Sequence, residues 1–204
     1  MMERNTRHLI VITGGIGAGK STVLAKLKAL GHACVDADDI AHGLYTPDGE
    51  ATAAIARHFG AGVLSADGTP DRKLLAAKVF GNEAELQWLN GLVHPLVRKR
   101  IDEAAQAVAP KPLFAAIPLW YESGWQIEGT TVIAVWCSRE TQLERLRQRG
   151  WSDDEIARRL ATQLSMDEKY ARADYGIVTD CSWERLEEQV AEVARRVAEG
   201  AGLR

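Results

Sequence analysis

The sequence predicts an α/β protein built on a doubly wound parallel sheet of five strands. Three observations carry that expectation: five short, uncharged apolar runs within 204 residues, helical patterns between them, and a glycine cluster joining the first run to the first helix. The runs are apolar throughout rather than alternating, the pattern of strands covered on both faces. Strands and helices taken in turn, with both faces covered, make a doubly wound sheet.

The first strand is expected at Leu9 to Thr13. After the glycine loop comes a helix with Val23, Leu24, Leu27 and Leu30 on one face, and Gly31 stands where a helix stops. Ala33 to Val35 is the second strand, running into Asp36-Ala37-Asp38-Asp39. Residues 40–110 read as almost wholly helical, with one turn signal from Ala66 to Pro70, and form a candidate acceptor subdomain. Leu113 to Ile117, Thr131 to Trp136 and the weaker Tyr175 to Val178 are the remaining strands. Between the last two lies an arginine-rich helical stretch, 141–169, broken by Gly150. Ser152 reopens it with Glu155 at capping-box spacing, and Ile156, Leu160 and Leu164 recur every four residues. Two helices hinged at a glycine describe a mobile lid, or else a surface hairpin. Trp183 to Ala198 is an amphipathic scaffold helix with Leu186, Val190, Val193 and Val197 in register. The expected organisation is one domain: a core of 8–39, 111–140 and 170–204, the acceptor helices 40–110, and the lid 141–169.

Apolar residues make up 46% and charged residues 26% of the chain, a balance that favours a buried core over disorder. A formal net charge of −3 argues against a general electrostatic binder of nucleic acid. Cys34, Cys137 and Cys181 are odd in number and far apart, which fits neither a disulfide framework nor a zinc site and points to the reducing cytoplasm. The run Leu9 to Ile12 is too short for a signal sequence, and Pro112 to Tyr121 and Gly129 to Ser138 fall short of a membrane span. The expectation is a cytoplasmic monomer that meets neither membrane nor nucleic acid.

Gly14-Gly15-Ile16-Gly17-Ala18-Gly19-Lys20-Ser21 matches G-x-x-x-x-G-K-[ST], between a strand and a helix. Glycines let main-chain amides wrap a phosphate, and the helix aims its positive end at the same anion. Gly15, Gly17, Ala18, Gly19, Lys20, Ser21 and Thr22 are therefore the candidate ATP-binding residues, with Lys20 on the β- and γ-phosphates and Ser21 on Mg²⁺. A Rossmann turn is excluded because Lys20 stands where its third glycine belongs. The N-K-x-D and D-x-x-G strings of switch GTPases are absent, and the third strand runs into Pro118-Leu119-Trp120-Tyr121-Glu122 rather than a Walker-B acid. Compact size and the arginine-rich lid then favour a P-loop kinase fold acting on a small molecule.

The glycine loop from Thr13 to Thr22 is followed by Val35-Asp36-Ala37-Asp38 with Ile40-Ala41, Asp71-Arg72, Val79-Phe80 and His94-Pro95-Leu96. Pro118-Leu119 with Glu122, Arg159 with Gln163, and Lys169 with Ala173-Asp174 come after. In this order and at these spacings, the set resembles the dephospho-coenzyme A kinase family over nearly the whole chain. The resemblance implies a P-loop core, a helical acceptor domain and a lid, with ATP and Mg²⁺ used to phosphorylate dephospho-coenzyme A at its 3′-hydroxyl. Two departures stand out. Trp120 puts a large ring beside the expected acceptor site, and Thr179 and Cys181 replace the asparagine and glycine the family carries after its last strand.

Asp38, just past the end of the second strand, is the candidate general base, since ligands of parallel sheets bind at that edge. Asp36 could serve instead, and either could simply cap the next helix. Arg145 and Arg149 lie one helical turn apart, on a face expected to differ from that of Leu143 and Leu146, and are candidates for the phosphates. The competing reading is a solvated basic face paired with Glu140 and Glu144. Motif correspondence adds weight to Arg149 and Arg159, and the resemblance sets His94 and Glu122 near the acceptor. Trp88, Trp125, Trp136, Trp151 and Trp183 read as packing. The alternatives are a kinase for another small acceptor, such as a nucleoside monophosphate or a sugar acid, and a nucleotide-binding regulator without catalysis.

Overall fold

The computed structural model describes residues 8–200 except 80, 126 and 128. Phe80, part of the resemblance, lies outside the described residues. The order is β1 (Leu9–Thr13), α1 (Lys20–Ala29), β2 (Ala33–Asp36), α2 (Ala37–Gly43), α3 (Thr52–Phe59), a 3₁₀ turn (Ala61–Val63), α4 (Arg72–Val79) and α5 (Glu83–Val108). Then come β3 (Leu113–Ala116), β4 (Thr131–Trp136), α6 (Arg139–Gln148), α7 (Asp153–Leu160), α8 (Met166–Arg172), β5 (Tyr175–Val178) and α9 (Trp183–Gly200).

The five strands form one sheet in the order β2-β3-β1-β4-β5. β1 is central, parallel to β3 with Ile12 opposite Ala116 and to β4 with Thr13 opposite Ala134. Every residue of β1 and β3 is buried, which explains why those runs are apolar without alternation. One core joins Ile10 and Ile12 to Val23 and Leu27 of α1, Phe114 and Ile133 of the sheet, and Leu186, Val190 and Val197 of α9. α1 ends at Leu30. The N–H of Gly31 (φ 86°) then bonds to Lys28 and that of His32 to Leu27, the paired closure a glycine permits. The three cysteines are free, and burial pushes the Cys34 thiol up to about 11. No helix among the described residues is long and apolar enough to cross a membrane.

The chain divides into two compact units, one running through Val35 and again from Ala104 onward, the other covering 36–103. The second unit is helical apart from a single antiparallel bridge, Leu64 to Pro70, closing the expected turn. Its Asp71 carboxylate accepts from the amides of Lys73 and Leu74 and so caps α4. His58 stacks on Trp88 at 3.7 Å.

The arginine-rich segment differs from its expected form. Gly150 (φ 82°) ends α6 by the same paired closure as Gly31, with its N–H on Arg147 and that of Trp151 on Leu146. Ser152 does cap the next helix, accepting from the Glu155 amide. That helix stops at Leu160, however, so Leu164 is not on it, and a third helix, α8, follows. The every-four-residue recurrence was broken by a turn carrying no glycine or proline.

Replacing Leu27, 1% exposed, by alanine should cost roughly 2–5 kcal/mol of stability. Leu30, 53% exposed three residues later, should cost no more than about 0.5 kcal/mol. Urea unfolding of the two variants checks the pair; equal losses would contradict the packing of α1.

Candidate active site

The loop 14–19 follows β1 at the carboxyl end of the central strand. At its first two glycines it is packed too closely for a side chain. A Cβ on Gly14 would lie 2.4 Å from the Val135 carbonyl oxygen, and one on Gly15 would lie 2.6 Å from Met166 Cγ. Gly19 is the N-cap of α1 with φ 97°, and no side chain caps the helix. Gly19 has no side chain with which to cap the first-turn amides of this ten-residue helix, an arrangement that suits an anion. Lys20 Nζ folds back to donate to the carbonyls of Gly14 and Gly15, 2.9 Å each, which sets its ammonium over the loop. The Ser21 hydroxyl is exposed at the start of α1.

Side chains from α6 and beyond hold this loop. Gln142 Nε2 donates to the Ile16 carbonyl at 2.7 Å, and Gln163 Oε1 accepts from the Ile16 amide at 3.2 Å. Arg145 donates to the Thr179 hydroxyl (2.8 Å) and carbonyl (2.9 Å), and the same hydroxyl donates to the Ala18 carbonyl at 2.7 Å. Arg145 is thus a brace, and Leu146, fully buried under Gly17, shares its work. That corrects the expected separation of faces. Gln142, 2% exposed, carried no motif signal beyond its place four residues before Leu146.

The other lid cations are mostly neutralised, though not by Glu140 or Glu144. Arg147 pairs with Asp153 at 2.9 Å. Arg159 pairs with Glu155 at 2.9 Å and lies over Trp151. Arg149 instead lines a cavity of about 350 Å³ together with Gly19, Thr22, Cys181, Trp183 and Leu186. The expectation that Trp183 is packing fails here, since the residue is 64% exposed.

A second cluster ties the segment after β3 to α8. Lys169 is completely buried and pairs with Glu122 Oε1 at 2.7 Å. It also donates to the Pro118 carbonyl at 2.7 Å, which accepts from the Thr13 hydroxyl as well. Glu122 further accepts from the Leu164 amide at 2.9 Å, while its Oε2 is buried with no partner among the described residues. Trp120 is buried, with its ring edge-on to that of Trp125.

Asp36, Asp38 and His94 belong to the second unit. Asp36 accepts from the Asp38 amide at 2.9 Å and caps α2, so the capping role falls to Asp36. Asp38 lies in the first turn with its carboxylate exposed. His94 is half-buried on α5, and burial lowers its pKa, which favours the neutral ring. Arg72 donates to His42.

What this geometry suits is a chain of phosphates laid along main-chain amides, with a cation above it and an aromatic cavity beyond. Proteins so built are P-loop nucleotide-binding enzymes. The sequence matches the dephospho-CoA kinase family over residues 8–184, and the chain belongs to that family. It is 44% identical over 172 residues to the dephospho-CoA kinase of Anaeromyxobacter dehalogenans, covering 82% of each chain. Against that of Sodalis glossinidius it is 36% identical over 192 residues, 94% of this chain and 92% of the relative. A crystal structure of a Thermus thermophilus protein superposes with a TM-score of 0.81 at 29% identity, covering 93% of this chain and 96% of that one. The dephospho-CoA kinase of Campylobacter jejuni gives 0.65 at 27% identity, with 95% and 98% covered.

Lys169→Met should strand a buried Glu122 carboxylate and cost about 3–5 kcal/mol. Adding Glu122→Gln removes the stranded charge and should restore most of the loss. Chemical denaturation measures both; a single-variant loss under about 1 kcal/mol, the range of exposed pairs, would mean the pair is not desolvated.

Proposed function

We propose that this chain transfers the γ-phosphoryl group of ATP to the 3′-hydroxyl of dephospho-coenzyme A, giving coenzyme A and ADP, the last step of coenzyme A synthesis. The observation that carries the reading is the family match over residues 8–184, laid on a phosphate loop whose helix has no side-chain cap. The acceptor oxygen forms the new P–O bond, the bond between the γ-phosphorus and the β–γ bridging oxygen breaks, and ADP leaves. Asp38 takes the hydroxyl proton, because its carboxylate is exposed while that of Asp36 is spent on the α2 cap. Lys20, and Arg149 from the cavity wall, face the charge on the phosphoryl oxygens. Ser21 fits Mg²⁺ through its exposed hydroxyl, because Mg²⁺ usually takes one or two protein oxygens plus phosphates. When bound, that ion neutralises phosphate charge. Gly15, Gly17, Ala18, Gly19 and Thr22 supply main-chain and wall contacts to the nucleotide. Arg145 acts through the loop it braces, while Glu122 and His94 shape the acceptor side. The segment 141–169 serves as the lid that excludes water. Free thiols and a net charge of −3 suit a cytoplasmic monomer.

A coupled assay with dephospho-coenzyme A and ATP-Mg tests the activity directly. Lys20→Ala should lower kcat by about 10²–10³. Asp38→Asn should lower it by at least about 10², at the low end for base catalysis because phosphoryl transfer has a loose transition state. Asp36→Asn should leave kcat near that of the parent, because asparagine caps a helix as well as aspartate does. The reverse pattern between the two aspartates would reassign the base.

A further inference from the structure

Trp183 opens α9 and lines the cavity that the phosphate loop also lines. Gly17, Gly19, Ser21 and Thr22 share its wall with Cys181 and Trp183. A nucleotide with its phosphates on the loop amides has Cys181 and Trp183 in the same cavity. An isolated exposed apolar side chain is ordinary. This indole, however, is 64% exposed, forms part of a concave wall, and is held from one face by Lys26, whose Nζ lies 4.8 Å from the ring centroid. Lys26 is itself fixed by Glu187 at 2.8 Å.

Three of the polar side chains of this cavity, Thr179, Arg145 and Cys181, are already engaged. The Thr179 hydroxyl bonds to Ala18 and Arg145, and the guanidinium of Arg145 is spent on Thr179. Cys181 Sγ lies 3.2 Å from the Val178 carbonyl and 3.4 Å from Gln189 Nε2. Few side-chain groups are left to read the edge of a base, whereas one aromatic face is available.

Resting on the kinase reading above, we propose that the free face of Trp183 is the stacking platform for the purine of the nucleotide. Base recognition in this chain is then carried by ring overlap more than by edge contacts. Stacking is tolerant of base identity, because every base has a π-face. Adenine and guanine nucleotides therefore draw on Trp183 to similar extents.

The test is binding by calorimetry of ATP-Mg, GTP-Mg and inorganic tripolyphosphate-Mg to the whole protein, its Trp183→Leu variant and its Trp183→Phe variant. Trp183→Leu should weaken ATP and GTP alike by roughly 5- to 50-fold. Tripolyphosphate, which has no base, should shift less than about two-fold, and Trp183→Phe should retain most of the ATP affinity because a ring remains. ATP should also quench tryptophan fluorescence of the parent protein, and Trp183→Phe should abolish that quench. Unchanged ATP affinity in Trp183→Leu, or equal losses for ATP and tripolyphosphate, would overturn the proposal. A parent protein that binds ATP through Trp183 but does not phosphorylate dephospho-coenzyme A would overturn the reaction and leave the stacking platform standing.

Discussion

A loop built largely of glycine has few side chains with which to hold its own shape. Much of its conformation is imposed from outside, by β4, α6, α8, the turn before α8 and the segment after β5. The Val135 carbonyl of β4 and the Met166 side chain of α8 stand where Cβ atoms on Gly14 and Gly15 would be. Gln142 and Gln163 grip both polar groups of Ile16, and Thr179 holds Ala18 while Arg145 braces Thr179. Preorganisation of this kind lets fixed dipoles meet phosphate charge without reorganising at the moment of transfer.

Every one of those braces lies more than a hundred residues from the loop in sequence. Contacts that close such long chain segments are entropically costly to make early. The loop therefore depends for its binding shape on residues that the chain supplies much later, from β4 to the segment after β5. The parallel order β2-β3-β1-β4-β5 serves this by putting β4 directly beside β1.

The strands were readable because burial on both faces leaves an unbroken apolar run, as in β1 and β3. The loop was readable because phosphate binding needs glycine, lysine and serine at fixed spacing. The site's supports were not. A glutamine such as Gln142 looks like any helix-surface residue until its amide is seen on Ile16, and resemblance singled out Gln163 without giving its task. Arginine density suggested ligand contacts, yet Arg147 and Arg159 are answered by Asp153 and Glu155, acids one or two turns away that a motif does not register. Leu164 kept the helical period after the helix had ended, since periodicity records spacing and not hydrogen bonds. Trp183 misled in the other direction, because composition alone assigns a large aromatic to the interior.

The buried ion pair of Lys169 with Glu122 has a chemical consequence. An amine-directed acylating reagent needs access to the nitrogen, and Lys99, with 59% of its side chain exposed, offers it at once. Lys169 offers none. It becomes reactive only when α8 parts from the segment 118–122. Its rate of modification is thus a clock set by that opening, built into the chain at one position and readable by mass without any added label.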